Sequence, residues 1–402
     1  MRSPPREPPQ RLRRQGRTER LHVVRPTAPD RADSSPPLTV RRSRVAPFEG
    51  FGNRHLQTPA PLPNPLHRLP ERSRRIVLME ERALGASGVS ITRIILGCGN
   101  FGGIGSSPAF FGRGTSKGDA FRLMDTAWDG GVTSFDTADA YGGGRSERFI
   151  GEWLTTKGAH VRDRIVIATK TFNPMGDGAD QGLGRARIHR QIDASLQRLG
   201  VERVALYLAH EFDSQTPQEE TLEAFADGIR AGKIGAVGAS NFGAEQLAEA
   251  LELSRLEGLP RYEWVQNGFS LLECGDIETV FPLLREHALG YTPFSPLAGG
   301  WLTGKYRRNE PPPTGSRMTL RPEPYAGYAS DRVFTALEKL EREAAGRGVS
   351  MAALALAWAL SLPELTGVVV GPGCAEHLVP AFEALEIDLS RTDRNHLMEV
   401  FR

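Results

Sequence analysis

The chain runs to 402 residues with 50 basic and 48 acidic side chains, a formal charge of +2, and only three cysteines, Cys98, Cys274 and Cys374. Three thiols give no disulfide framework and no metal-ligand spacing, and no apolar run approaches the roughly 18 residues that a membrane span needs. No continuous apolar core near the start marks a secretory signal, so the chain reads as cytoplasmic, metal-free and without a membrane partner.

Residues 1–78 stand apart, with 17 arginines, no lysine, six acidic residues and proline throughout. From residue 79 the balance turns to 33 basic against 42 acidic. A Pro- and Arg-rich segment with few aromatics buries too little apolar surface to offset its ordering entropy, so this extension is expected to be disordered. A basic arm suits nucleic acid or an acidic surface. The plainer reading, and the one adopted, is that Met79-Glu-Glu-Arg-Ala-Leu-Gly is an ordinary start, so nucleic acid is not an expected partner. Residues 79–402 then form one large domain, because an α/β barrel routinely takes about 250 residues or more.

In chain order, a hairpin is predicted around 79–92 and a first strand at 91–96. Further strands fall near 132–136, 165–170, 204–209, 236–240, 264–267, 290–294 and 367–371. Helical spacing occupies 117–131, 146–156, 185–199, 217–231, 243–257, 277–288, 350–361 and 374–385. Eight strands alternating with helices predict an α/β fold whose parallel sheet closes as a (β/α)8 TIM barrel. Residues 295–330 read as a long Gly- and Pro-rich loop without structure of its own, which in a compact domain is usually functional. A short terminal helix is expected at 391–400.

Three strand ends carry chemistry. Asp136, Lys170 and His210 each terminate a strand, and Tyr141 lies on the loop after the first of them. In a barrel, reactive groups gather at the C-terminal strand ends. Each residue alone has a plainer role: a packing Tyr, a loop-capping Asp, a solvent-reaching Lys, a satisfied core His. Together they can give a proton to a carbonyl. An ordinary phenol, with a pKa near ~10, suits neutral pH poorly, and an adjacent ammonium is expected to lower it. Asp136 would hold Lys170, and His210 would orient the carbonyl oxygen.

The run Phe135-Asp-Thr-Ala-Asp-Ala-Tyr-Gly-Gly-Gly-Arg-Ser-Glu147 resembles the signature of the aldo-keto reductases. So do the Lys ending Ile165–Lys170, the His ending Leu206–His210, and the segments Gly238–Gly243, Val265–Asn267 and Phe294–Tyr306. The resemblance spans about 79 to 385. It implies NAD(P)H-dependent reduction of an aldehyde, ketone or sugar carbonyl by hydride transfer, with a small-molecule carbonyl substrate. It also implies an extra helix at 331–346 and a nicotinamide dinucleotide across the barrel mouth, beneath the long loop.

The resemblance assigns Ser240, Asn241 and Gln266 to the carboxamide, Phe294 to the nicotinamide face, and the backbone of Ser295, Leu297 and Gly299 to the pyrophosphate. A plain alternative for Ser240 and Asn241 is capping of the helix at 243–257. The last strand departs from the family: Gly373 stands where a basic residue is expected and Ala381 where Asn is, leaving His377 as a contact. NADP is favoured and NAD remains possible. An alternative to catalysis is a non-catalytic NADP-sensing subunit resembling potassium-channel β subunits.

Gly97-Cys-Gly-Asn-Phe-Gly102 also matches GxGxxG after a strand. A Rossmann turn opens directly into a helix, whereas here glycines run on to Gly105 and Pro108, so the segment is read as the first barrel loop. Phe101 and Trp301 are expected to wall the substrate pocket, with packing the alternative for Trp301.

Overall fold

The computed structural model describes residues 79–402; the expectation for residues 1–78 lies outside them. A hairpin of β1 (Glu81–Ala83) and β2 (Ser90–Thr92) comes first, with Arg82 opposite Ile91. The parallel strands are β3 (Ile94–Gly97), β4 (Ser134–Asp136), β5 (Val166–Thr171), β6 (Val204–Ala209), β7 (Ile234–Ser240), β8 (Trp264–Gln266), β9 (Gly290–Tyr291) and β10 (Val368–Val370). Their order is β10-β3-β4-β5-β6-β7-β8-β9. The amide of Thr366 donates to Tyr291 O and that of Val369 to Pro293 O, each at 2.9 Å, so the two outer strands meet and the (β/α)8 barrel closes.

Around the sheet lie α1 (Lys117–Asp129), α2 (Arg145–Thr155), α3 (Arg185–Leu199), α4 (Gln218–Arg230), α5 (Ala244–Glu257), α6 (Phe281–His287), α7 (Asp331–Arg347), α8 (Met351–Leu360), α9 (Val379–Ala384) and α10 (Arg391–Phe401). Local chemistry sets their ends. Ser116 accepts from the Asp119 amide to start α1, and Gly200 and Gly258 adopt left-handed backbone to stop α3 and α5.

Strand alternation divides the core in two. Ile95, Leu206, Leu208, Ala236, Trp264 and Val369 point inward, where Leu84 and Ile91 of the hairpin plug the floor. Leu96, Phe135, Ile167, Tyr207, Ala209 and Val237 point outward against the helices. Gly238 is required by this filling: a Cβ there would come within 2.6 Å of the Trp264 ring, which is almost fully buried.

Four expectations are corrected. The segment 91–96 divides, because Ser90–Thr92 turns away to pair with β1 while the buried Arg93 guanidinium donates to Leu365 O and Thr366 O beneath the barrel. The helix expected at 277–288 is a turn at Asp276–Thr279 followed by α6, with a proline in its first turn. The helix expected at 374–385 is a 3-10 turn at Ala375–Leu378 leading into α9, where Pro380 sits in the first turn. Residues 295–330 are not structureless. They hold a 3-10 segment at Ala298–Thr303 and one helical turn at Arg317–Leu320, because buried Trp301 packs on Tyr306 and Phe334 and gives the loop a small core.

Among the described residues no helix is long and apolar enough to cross a membrane.

Candidate active site

Asp136 ends β4, Lys170 is the penultimate residue of β5, and His210 directly follows β6, so strand pairing brings all three to one rim. The loop after β4 returns Tyr141 to the same rim. Its amide donates to Ala138 O, and the following Gly142 has φ +59 with Phe101 O only 2.8 Å from where a Cβ would stand. A larger residue there would displace the turn that carries the phenol.

The Lys170 ammonium is fully buried and uses three donors. It reaches Asp136 Oδ2 at 2.7 Å, Thr137 O at 2.8 Å and Tyr141 Oη at 3.3 Å. Burial works against its charge, but Asp136 and then Tyr141 outweigh that and hold the ammonium above its ordinary value. Gln266 Nε2 donates to Asp136 Oδ1 at 2.9 Å, so both carboxylate oxygens are engaged.

The phenol differs from the sequence expectation. Burial pushes the Tyr141 hydroxyl up, the Lys170 ammonium pulls it down, and the net position lies above an ordinary tyrosine. Desolvation penalises phenolate more than one neighbouring cation repays when that cation is shared with Asp136. Tyr141 accepts from Lys170, so its own proton is not committed to that bond.

His210 meets the Tyr141 ring edge-on, centroids 5.5 Å apart. Burial, then Lys170, holds the imidazole well below its ordinary pKa, so it is neutral. Its Nδ1 is buried without a partner among the described residues. An imidazole whose ring makes no hydrogen bond among the described residues, edge-on to an uncommitted phenol, is an arrangement a carbonyl oxygen can satisfy. No group of three or more His, Cys, Asp or Glu among the described residues could hold a metal ion.

Residues 93–401 match the model of the aldo/keto reductase family. The chain belongs to that family. It is 35% identical over 335 residues to the uncharacterized oxidoreductase YrpG of Bacillus subtilis, covering 80% of this chain and 96% of that protein. It is 32% identical over 316 residues to the L-glyceraldehyde 3-phosphate reductase of Escherichia coli K12, covering 76% and 88%. A probable voltage-gated potassium channel subunit beta of rice is 31% identical over 314 residues, covering 77% and 92%. Aldo/keto reductases are oxidoreductases that use NAD(P)H.

In this aldo/keto reductase the remaining expected positions fall into two groups. Ser240 ends β7, and Asn241 follows with φ +58, its amide nitrogen donating to His210 O at 2.9 Å. The Asn241 and Gln266 side-chain oxygens accept no hydrogen bond among the described residues. Phe294 packs at the barrel mouth over Gly268. Ser295 and Ala298 have positive φ, as do Gly299 and Gly300, and Leu297 packs against the core beneath this turn. Ser295 Oγ lies 2.9 Å from Tyr325 Oη. His377 stands apart in the second group. Its Nδ1 accepts from the Gly373 amide at 3.1 Å, and burial, then Lys305, keeps its ring below the ordinary pKa. Phe101 and Trp301 are buried packing residues, not walls of an open pocket.

Sequence reading missed Lys305 and Arg317. The Lys305 side chain lies over Gly300, and its ammonium is held below its ordinary pKa by partial burial and by Arg317. Arg317 Nη2 donates to Asn100 Oδ1 at 3.0 Å, and neither cation forms an ion pair among the described residues. The Lys in Leu-Thr-Gly-Lys305-Tyr was the available signal.

A buried network beneath the site was also missed. Thr171 Oγ1 donates to Asp139 Oδ2 at 2.8 Å, Arg187 Nη1 donates to Thr171 Oγ1 at 2.7 Å, and Asp139 Oδ1 has no hydrogen-bond partner among the described residues. Burial, then Glu147, pushes Asp139 up to about 7 against the pull of Arg187. Glu147 accepts from Thr169 Oγ1 and Arg198 Nε, each at 2.6 Å.

Proposed function

We propose that this aldo/keto reductase reduces an aldehyde, ketone or sugar carbonyl to the alcohol, with Tyr141 as general acid. The observation that carries this reading is the bond from Lys170 to Tyr141, which leaves the phenol's proton free beside the unpartnered imidazole of His210.

The donor set fits a nicotinamide dinucleotide. The free amide oxygens of Asn241 and Gln266 can accept from a carboxamide, with Ser240 alongside. Phe294 offers a ring face. The positive-φ turn Ser295–Gly300 exposes backbone N–H groups of the kind that bind phosphate. Lys305, Arg317 and His377 supply cationic and N–H donors that take over the role of the arginine absent at Gly373. That set suits a phosphomonoester and favours NADP over NAD. When bound in reduced form, the cofactor supplies the hydride.

His210 donates to the substrate oxygen and fixes its direction. As negative charge grows there, Tyr141 passes its proton to the oxygen, and Lys170 stabilises the phenolate left behind. Asp136, held by Gln266, keeps the ammonium in place.

A second reading is a non-catalytic NADP-sensing subunit, suggested by the similarity to a probable channel β subunit. Multiple-turnover consumption of NADPH across a panel of aldehydes, ketones and aldoses separates the two. Turnover supports the reductase, and tight binding of NADPH without turnover supports the sensor.

A further inference from the structure

The rim above Tyr141 is cationic in a way that the reaction itself does not require. The segment Gly99–Gly105 forms a thin shelf: Gly99 faces the Tyr141 ring, where a Cβ would lie 3.5 Å away, and Gly105 O accepts from the Gly142 amide at 3.3 Å. On top of the shelf lies the Arg321 guanidinium. Its Nη1 donates to Ile104 O at 2.9 Å and would stand 2.7 Å from a Cβ on Gly105. Its carbon sits 5.4 Å from the centre of the Phe110 ring, and that of Arg113 sits 5.9 Å from the same ring. Phe110 thus positions two guanidinium groups at one lip of the mouth.

Neither arginine forms an ion pair among the described residues, although acidic side chains outnumber basic ones from residue 79 onward. Arg321 spends one of five N–H donors on a carbonyl, and no hydrogen bond of the Arg113 side chain occurs among the described residues. Both guanidinium groups therefore keep N–H donors free for an anion. The long loop that carries Arg321 is anchored to the shelf, so the cation is set in place before a ligand arrives.

We propose that Arg321 and Arg113 recognise a negative group on the substrate, so that this protein acts on carbonyl compounds bearing a carboxylate or phosphate. The inference rests on the reductase reading for what happens at the carbonyl, and adds the class of molecule that reaches it. The anion is seated on the lip while the carbonyl passes the shelf toward Tyr141 and His210. Arg317, bonded to Asn100 of the same shelf and electrostatically coupled to Arg321, joins this rim to Lys305 and His377 on the cofactor side.

The test compares 4-carboxybenzaldehyde, ionised at assay pH, with its neutral methyl ester, methyl 4-formylbenzoate, using the full chain and NADPH. Wild type should favour the acid by about 10-fold or more in kcat/KM, expressed mainly in KM. Arg321→Glu should erase or reverse that ratio, Arg321→Lys should keep part of it, and raising salt should diminish it. Binding of 4-(hydroxymethyl)benzoate and its methyl ester to the NADP-loaded protein, measured by calorimetry, gives the same comparison without turnover. If no aldehyde is reduced but the acid still binds more tightly, and Arg321→Glu removes the difference, the rim stands and the reductase reading falls. If acid and ester are equal in both rate and binding, or their ratio survives Arg321→Glu, the anion-recognition proposal is overturned.

Discussion

Lys170 Nζ lies 3.3 Å from Tyr141 Oη, yet the phenol is held above, not below, an ordinary tyrosine. The ammonium's stronger bonds go to Asp136 and Thr137, so its main office is to receive a phenolate that forms during reaction rather than to create one beforehand. A protonated phenol is the form that reduction needs.

That position predicts a pH profile. The acid form of Tyr141 persists until the pH passes its raised pKa, so kcat/KM for reduction should hold through about pH 9. It should fall only above the ordinary phenol range near ~10. Initial rates across pH check this. An alkaline limb centred near pH 8 would show that the Lys170 pull outweighs burial.

Removing the ammonium should cost both rate and stability. Lys170→Met leaves Asp136 buried with only Gln266 as partner, so unfolding free energy should drop by about 3 to 5 kcal/mol. Reduction should slow by about 10²-fold or more. Adding Asp136→Leu should recover part of the stability and none of the rate. Urea titration and steady-state kinetics read the two effects separately.

Cofactor choice should depend on Arg317. Arg317→Ala should weaken NADPH by about 10- to 100-fold while changing NADH much less, since only the former carries the extra phosphate. An equal loss for both cofactors would place Arg317 at the pyrophosphate or in loop packing.

Asp139 gives a stability signature with a definite sign. Its carboxyl is raised to about 7 from the ordinary 3.8, so between those values the folded state binds a proton that the unfolded state does not. Folding stability from this group is therefore lost as pH rises from about 4 to 7, and the loss is complete above that window. Asp139→Asn should be more stable than wild type at pH 8, and the difference should shrink toward pH 4. A pH-independent difference would contradict the account.

Much of this architecture could be read from the chain because it is written locally. The apolar runs at 204–209 and 236–240 alternate with helical spacing at 185–199 and 217–231, and each became the expected element within a residue or two. Asp136, Lys170 and His210 were legible because a barrel brings strand ends together whatever the loops do. The bond from Gln266 to Asp136 was not, since it spans 130 residues and depends on barrel closure. The partial burial of Tyr141 was equally hidden: the flanking sequence names the cation but not the desolvation that opposes it. Arg317 and Arg321 lie in an irregular segment whose path is set by Trp301 packing, for which periodicity offers no guide.

The most direct test of the central claim is single-turnover reduction by Tyr141→Phe, with NADPH binding measured on the same protein. The ring and its contacts with Gly99 and His210 remain, and only the hydroxyl is lost. NADPH should bind as in wild type while aldehyde reduction falls by about 10²- to 10⁴-fold. Reduction at a near-wild-type rate would contradict the assignment of the proton donor.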